Sequence, residues 1–299
     1  MLGNNLTIIG GSGGMGKVFA KYFKKHGFNI TLHARNEDIL KRAAYELNVN
    51  FDLSLEKSVK DADIVMVSVP ITQTADLIRK VAPFLKNDSL IFDITSLKSD
   101  VVRVFEQIRR EYPINCLSLH PMFGPGIKDM KNYNILLLKI GGTESYSKKV
   151  DDLLSLFKSD GIVVTETTPE LHDKYIAMTL GIPHMFNILF LNLLRRINEP
   201  LSELTKYAGT TFLLQKVFAE SIIQREMEMF GEIQIQNKEF QKVLDEFENL
   251  LKEYIIIIQS KDKQGFIDLF YDGLNYSRED NHFKVSYEYF YEFIKILKK

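Results

Sequence analysis

The chain has 299 residues, enough for two domains rather than one, and its 45% hydrophobic and 26% charged content describes a globular protein with ample core. With 38 Lys and Arg against 39 Asp and Glu, the net charge is −1. No broad basic field exists to hold a nucleic-acid backbone, which excludes that class of partner.

The single cysteine, Cys116, rules out a disulfide framework and fits a reducing cytoplasm. The histidines at 26, 33, 120, 172, 184 and 282 show no His-x-x-x-His or Cys/His ligand spacing, so no metal site is expected. The start, Met1-Leu2-Gly3-Asn4-Asn5, lacks the basic and apolar regions of a secretion signal, and a cytoplasmic location is expected.

Leu6-Thr7-Ile8-Ile9 reads as a strand that ends in Gly10-Gly11-Ser12-Gly13-Gly14-Met15-Gly16, and a helix follows with Val18, Phe19, Tyr22 and Phe23 on its apolar face. Gly11, Gly13 and Gly16 form G-x-G-x-x-G in a strand–turn–helix context. Gly11 is expected to permit the tight turn, Gly13 the approach of a pyrophosphate, and Gly16 the close packing of helix on strand, with the phosphates on the helix amino terminus. Ser12, Gly14 and Met15 belong to the same expected phosphate-binding turn.

The second strand, Asn29–His33, leads into Ala34-Arg35-Asn36, where a site for NAD normally places Asp or Glu on the ribose 2′-hydroxyl. Arg35 could instead pair with a 2′-phosphate, so NADP is the preferred cofactor and NAD the other possibility. The competing reading makes Arg35 a solvated loop residue stacking on adenine, with Glu37 or Asp38 contacting the ribose.

Ile64-Val65-Met66-Val67-Ser68-Val69-Pro70 is a continuous β-branched run suited to a strand covered on both faces, and Ser68 and Pro70 fall where the cofactor would cross the sheet edge. An amphipathic helix through Leu77, Ile78, Val81 and Leu85 precedes the strand Ser89–Asp93. Ser96 and Lys98 follow on a loop at that strand's carboxyl end, and helix capping is their plain alternative. The short strand Cys116–Leu119 is then expected to stop at once at His120-Pro121-Met122-Phe123-Gly124-Pro125, leaving His120 on a stiff loop where ligands sit in open α/β sheets. An imidazole there could accept or donate a proton near pH 7. Ile135–Leu138 and Ile162–Val164 look like the last strands of a doubly wound, mostly parallel sheet over 1–166.

From Thr168-Pro169-Glu170, a helix start, residues 167–299 are all-helical in pattern. Pro183 should kink or end the first helix. The uncharged stretch Ile176–Leu194 approaches the length of a membrane span, but Gly181, Pro183, His184, Asn187 and Asn192 interrupt it. A helix buried at a domain or subunit interface is the better reading, and no membrane partner is expected.

Together these motifs resemble the prephenate/arogenate dehydrogenase family of tyrosine biosynthesis, with His120 to Pro125 the most specific element and its spacing from Ser96 and His172-Asp173 adding to it. The resemblance implies NAD(P)-dependent oxidative decarboxylation, of prephenate to 4-hydroxyphenylpyruvate or of arogenate to tyrosine. It also implies that His120 accepts the hydroxyl proton, Ser96 orients His120, His172 lines the substrate pocket, and the helical half forms a homodimer. The family's arginine for the ring carboxylate falls at Ser221 here; Arg225, one turn later, would replace it, with Lys216, Lys98 or a residue of the other subunit as further cations. Rival readings are a generic β-hydroxyacid-type dehydrogenase, which gives no reason for Ser96, His120 and His172 to occur together, and a catalytically silent NADP-binding sensor.

Overall fold

The computed structural model describes residues 2–224 and 227–298. Its contacts divide the chain into two units, 1–176 and 177–299. The division at Ile176/Ala177 lies beyond the sequence boundary at Glu166, because the first helix after that boundary, α7 (Pro169–Ile176), is anchored to the first unit through His172 and Asp173.

In the first unit, one eight-stranded sheet runs in the order β3-β2-β1-β4-β5-β6-β7-β8. The strands are β1 (Asn5–Ile9), β2 (Asn29–His33), β3 (Asn50–Phe51), β4 (Ile64–Val67), β5 (Leu90–Asp93), β6 (Asn115–Pro121), β7 (Asn134–Gly141) and β8 (Val163–Glu166). All neighbours pair parallel except β6 and β7. The first six strands have the doubly wound dinucleotide-binding order, whose switch point falls between β1 and β4.

The helices α1 (Gly14–Lys25), α2 (Glu37–Leu47), α3 (Leu55–Lys60), α4 (Ile71–Val81), α5 (Ser99–Glu111) and α6 (Tyr146–Ser159) cover the sheet. Side-chain alternation splits the core in two. Leu6, Ile8, Ile64 and Met66 join Phe19, Phe23 and Phe157 on one face, while Ile9, Val65 and Val67 meet Ile78 and Phe105 on the other. Cys116 is buried in the second layer, and burial pushes its thiol up to about 12, leaving it unreactive.

Two strands depart from the sequence expectation. β3 is too short and too exposed to carry a pattern. β6 does not stop before His120: it runs through Pro121, with His120 opposite Leu136 and Pro121 opposite Ile135 of β7. The reason is the edge it presents. β5 pairs with β6 only as far as Ser118, so at Pro121 one side of the strand is open and a missing N–H costs little.

The second unit begins with a π-helical turn, Ala177–Gly181, followed by α8 (Ile182–Ile197), α9 (Leu201–Lys206), α10 (Thr210–Ile223), α11 (Met227–Gln236), α12 (Lys238–Ser260), α13 (Lys263–Ser277) and α14 (Ser286–Leu297). Pro183 sits in the first turn of α8, where its absent N–H is tolerated, and the widened turn directly precedes it. A Cβ at Gly181 would fall 2.5 Å from the Phe240 ring, so glycine permits the approach of α12. The small core here joins Ala177, Met185 and Phe240. By length and composition alone, helix Pro169–Ile197 could cross a bilayer; the core helix of a soluble protein passes the same test.

Candidate active site

The glycine turn follows β1 directly. Gly10, at φ +80°, takes the left-handed conformation and lies so close to the Ser68 carbonyl that a Cβ would fall 2.0 Å from it. The tight turn therefore rests on Gly10, not on Gly11 as the motif suggested. Gly11 instead lets Leu32 of β2 approach, and a Cβ at Gly16 would fall 2.6 Å from the Gly10 carbonyl, which fits its expected role of closing helix on strand. Met15 packs against the core.

Gly13 is the N-cap of α1, with no side-chain cap and no acid in the first turn. By contrast, Asn36 and Ser54 cap α2 and α3. The N–H groups at the start of α1 have no side-chain acceptor and suit an external anion.

A cleft of about 610 Å³ opens at the switch point. Ser12 and Gly13 line it from the glycine turn, Ala34, Arg35 and Asn36 from the end of β2, and Ser68, Val69 and Pro70 from the end of β4. The expected positions Ser12, Gly13, Arg35, Ser68 and Pro70 thus share one cavity, whereas Gly11, Gly14, Met15 and Gly16 shape the turn behind it. Sequence reasoning missed the far wall, where Thr72, Gln73, Asp76 and Lys80 of α4 face the cleft. Their spacing marks the polar side of the amphipathic helix whose apolar side carries Ile78 and Val81. Arg35 is exposed in the cleft, whereas Glu37 is paired with Lys41 at 2.6 Å. The uncapped α1 terminus, the glycine cradle and this cation fit a dinucleotide.

The second motif lies next to the first. A Cβ on Gly14 would fall 2.9 Å from the Pro125 ring, so the loop after His120 rests on the start of α1. His120 is 3% exposed, and its Nδ1 lies 2.9 Å from Nε2 of His172. His172 is 1% exposed and its other nitrogen, Nδ1, lies 2.8 Å from Asp173 Oδ1. Both ring nitrogens of His172 are therefore occupied within the protein. The expectation that it lines the substrate pocket gives way to a place behind His120. Nε2 of His120 has no protein partner among the described residues.

Burial pulls the pKa of both imidazoles below 6.5, most strongly for His120, where His172 and the Lys98 ammonium add to the effect. Burial acts to raise the Asp173 carboxyl, but hydrogen bonds from His172, Ser99 and the Lys98 N–H outweigh it and hold the group below the usual carboxylate range.

Lys98 is the clearest correction. Expected as a cation for substrate, it is fully buried, and its Nζ donates to Asp93 Oδ2 at 2.7 Å and to the Leu119 carbonyl at 2.6 Å. Asp93 also accepts from the Thr95 N–H at 2.8 Å and from Ser118 Oγ at 2.5 Å. A buried ion pair of this kind contributes little net stability, but it fixes geometry. Here it fastens the end of β5 to the backbone immediately before His120.

Ser96 is half-buried on that loop and makes no hydrogen bond to His120; among the described residues, His172 does so. In the second unit, Ser221 donates to the Phe218 carbonyl and Lys216 pairs with Glu220. Arg225 lies outside the described residues.

Residues 19–137 match the family model for the prephenate dehydrogenase nucleotide-binding domain, and residues 168–272 match that for the prephenate dehydrogenase dimerization domain. A probable arogenate/prephenate dehydrogenase of Methanocaldococcus jannaschii is 31% identical over 90% of this chain and 60% of its own length. A Haemophilus influenzae T-protein is 24% identical over 90% of this chain and 66% of its own. The chain thus spans under two thirds of the length of these relatives. Among solved structures, Aquifex aeolicus prephenate dehydrogenase with hydroxyphenyl propionate and NAD+ superimposes with a TM-score of 0.74 at 22% identity, covering 94% of this chain and 99% of the other. Synechocystis arogenate dehydrogenase gives 0.68 at 17% identity, covering 92% and 99%. Two consecutive domain models across most of the chain, on a fold with this site, place the protein in the prephenate dehydrogenase family.

Proposed function

We propose that this chain catalyses NAD(P)-dependent oxidative decarboxylation of prephenate, or of arogenate, whose side chain carries an amino group in place of the keto group. The observation that carries the reading is a buried imidazole with one nitrogen free of described protein partners, on a strand whose following loop rests against the nucleotide-binding turn. The cleft walls would hold the dinucleotide, with its phosphates at the α1 terminus and its adenosine end toward Arg35 and α4. When bound, the nicotinamide supplies a hydride acceptor for the ring carbon that bears the hydroxyl.

His120 acts on the proton. As the C–H pair leaves that carbon, the hydroxyl proton passes to Nε2 and a ring carbonyl forms. The carboxylate's C–C bond then breaks, CO2 leaves, and its electron pair makes the ring aromatic. The proton returns from Nε2 to the phenolic oxygen, so no net proton is released. Ser96 would face the same hydroxyl from the neighbouring loop. Arg225 is proposed for the ring carboxylate, since Lys98 is committed to Asp93.

NADP is the preferred cofactor, because Arg35 lines the cleft where a carboxylate would stand in an NAD site. A cytoplasmic homodimer formed through the second unit completes the reading. The test is initial-rate formation of NADPH and NADH with prephenate and with arogenate. Turnover with one substrate establishes the reaction; no turnover with either, in folded protein that binds nucleotide, refutes it. Arg35→Ala should raise the NADP Kd about tenfold and leave NAD within about twofold; equal losses would remove the 2′-phosphate role.

A further inference from the structure

The residues behind His120 decide which of its nitrogens carries the proton. A carboxylate only accepts hydrogen bonds, so the 2.8 Å contact between Asp173 Oδ1 and His172 Nδ1 requires a proton on that nitrogen. Neutral His172 then has a bare Nε2. The 2.9 Å contact from there to His120 Nδ1 needs one proton, and only His120 can supply it. Nε2 of His120 is left bare.

We propose that Asp173 and His172 are positioning residues that hold His120 in the Nδ1–H tautomer, so that its free Nε2 lone pair faces the substrate hydroxyl. This deepens the reading of His120 as the base and rests on it. Free histidine favours the opposite tautomer, which would present a proton where an acceptor is needed.

The device is rigid at its far end. α5 has no side-chain cap of its own. Asp173, from α7, serves in that place: Oδ1 accepts from the Lys98 N–H at 2.9 Å, and Oδ2 accepts from the Ser99 N–H at 3.0 Å and from Ser99 Oγ. Two fixed backbone donors keep the group ionised and aimed, so it cannot turn to offer a proton to His172. The Lys98 ammonium, tied to the Leu119 carbonyl next to His120, disfavours a second positive charge on either ring. When Nε2 takes the hydroxyl proton, the O–H bond breaks, an N–H bond forms, and the charge on His120 is opposed by Asp173 through His172.

The test is nitrogen-15 NMR of histidine-labelled protein without ligand at neutral pH, alongside steady-state kinetics. The expected spectrum shows His120 and His172 both protonated at Nδ1 and bare at Nε2. In Asp173→Asn the amide must set a donor against one of the backbone N–H groups. His120 should shift toward Nε2–H, with kcat down about 10²-fold while KM and nucleotide Kd stay within about threefold. A wild-type His120 protonated at Nε2 overturns the proposal whatever the mutant does, which keeps it testable if Asp173→Asn fails to fold. An unchanged kcat in folded Asp173→Asn overturns it too. The two readings separate cleanly: turnover with an Nε2–H His120 removes the relay and keeps the reaction. The expected tautomers without turnover on either substrate support the relay and remove the reaction.

Discussion

In the first unit Lys98, Asp93, His120 and His172 are 3% exposed or less, and each is held by hydrogen bonds. In the second, Leu193, Ile197 and Ile256 are 58%, 60% and 64% exposed. The first unit hides a connected polar cluster, and the second displays an apolar helix face. Burying a polar group is costly unless it is paired, so a buried paired cluster marks a site where geometry matters. Displaying an apolar face is costly until something covers it. Phe186, Leu189, Leu193 and Ile197 of α8 recur on one side of the helix, each at least 46% exposed. The sheet closes its own core, whereas the helices offer the face that the proposed second copy would cover.

The strongest way to break this contrast is at the buried cluster. His120→Asn should lower kcat by about 10²–10⁴-fold while nucleotide affinity, read by fluorescence titration, stays within about twofold. Near-normal turnover would make the cluster structural. Next, Lys98→Met leaves Asp93 buried without its cation and should cost about 3–5 kcal/mol in urea unfolding; a neutral outcome would show that the ion pair is dispensable. On the exposed side, Leu193→Asp with Ile197→Asp should convert dimer to monomer by light scattering, with nucleotide affinity at the first unit unaffected. A dimer that survives both charges places its interface elsewhere.

The smallest effect is on pH dependence. His120, facing His172 and Lys98, and His172, facing Asp173, Lys98 and Asp93, are held below 6.5 when folded. The unfolded chain protonates them near that value, so below about pH 6.5 it binds more protons and stability is lost as pH falls toward the folded pKa values. Above about 6.5 these groups leave stability flat. His184, lowered by burial in the second unit, adds the same sign. Urea midpoints measured between neutral pH and pH 5 check the slope, and His120→Asn should flatten part of it.

Much of this protein is legible in its sequence alone. The glycine turn after Ile9, the β-branched run at Ile64–Val67, and the switch to helical period after Thr168 each rest on local chemistry: backbone freedom, burial on two faces, capping. They determined the doubly wound sheet, the helical second half and the family resemblance, because neighbours in sequence carry each signal. Pairing at a distance decided the rest. β7 returning antiparallel carried β6 through His120 and Pro121. Gly10, one residue before the motif, takes the left-handed turn and leaves room for the Ser68 carbonyl. Lys98 was turned from a candidate ligand into a buried brace by Asp93 and Leu119, and His172 was placed behind His120 by Asp173 capping α5. Sequence alone named the residue types the chemistry needs. Which nitrogen, which cation and which glycine do the work depends on groups brought together from far along the chain, and only the tertiary structure could decide that.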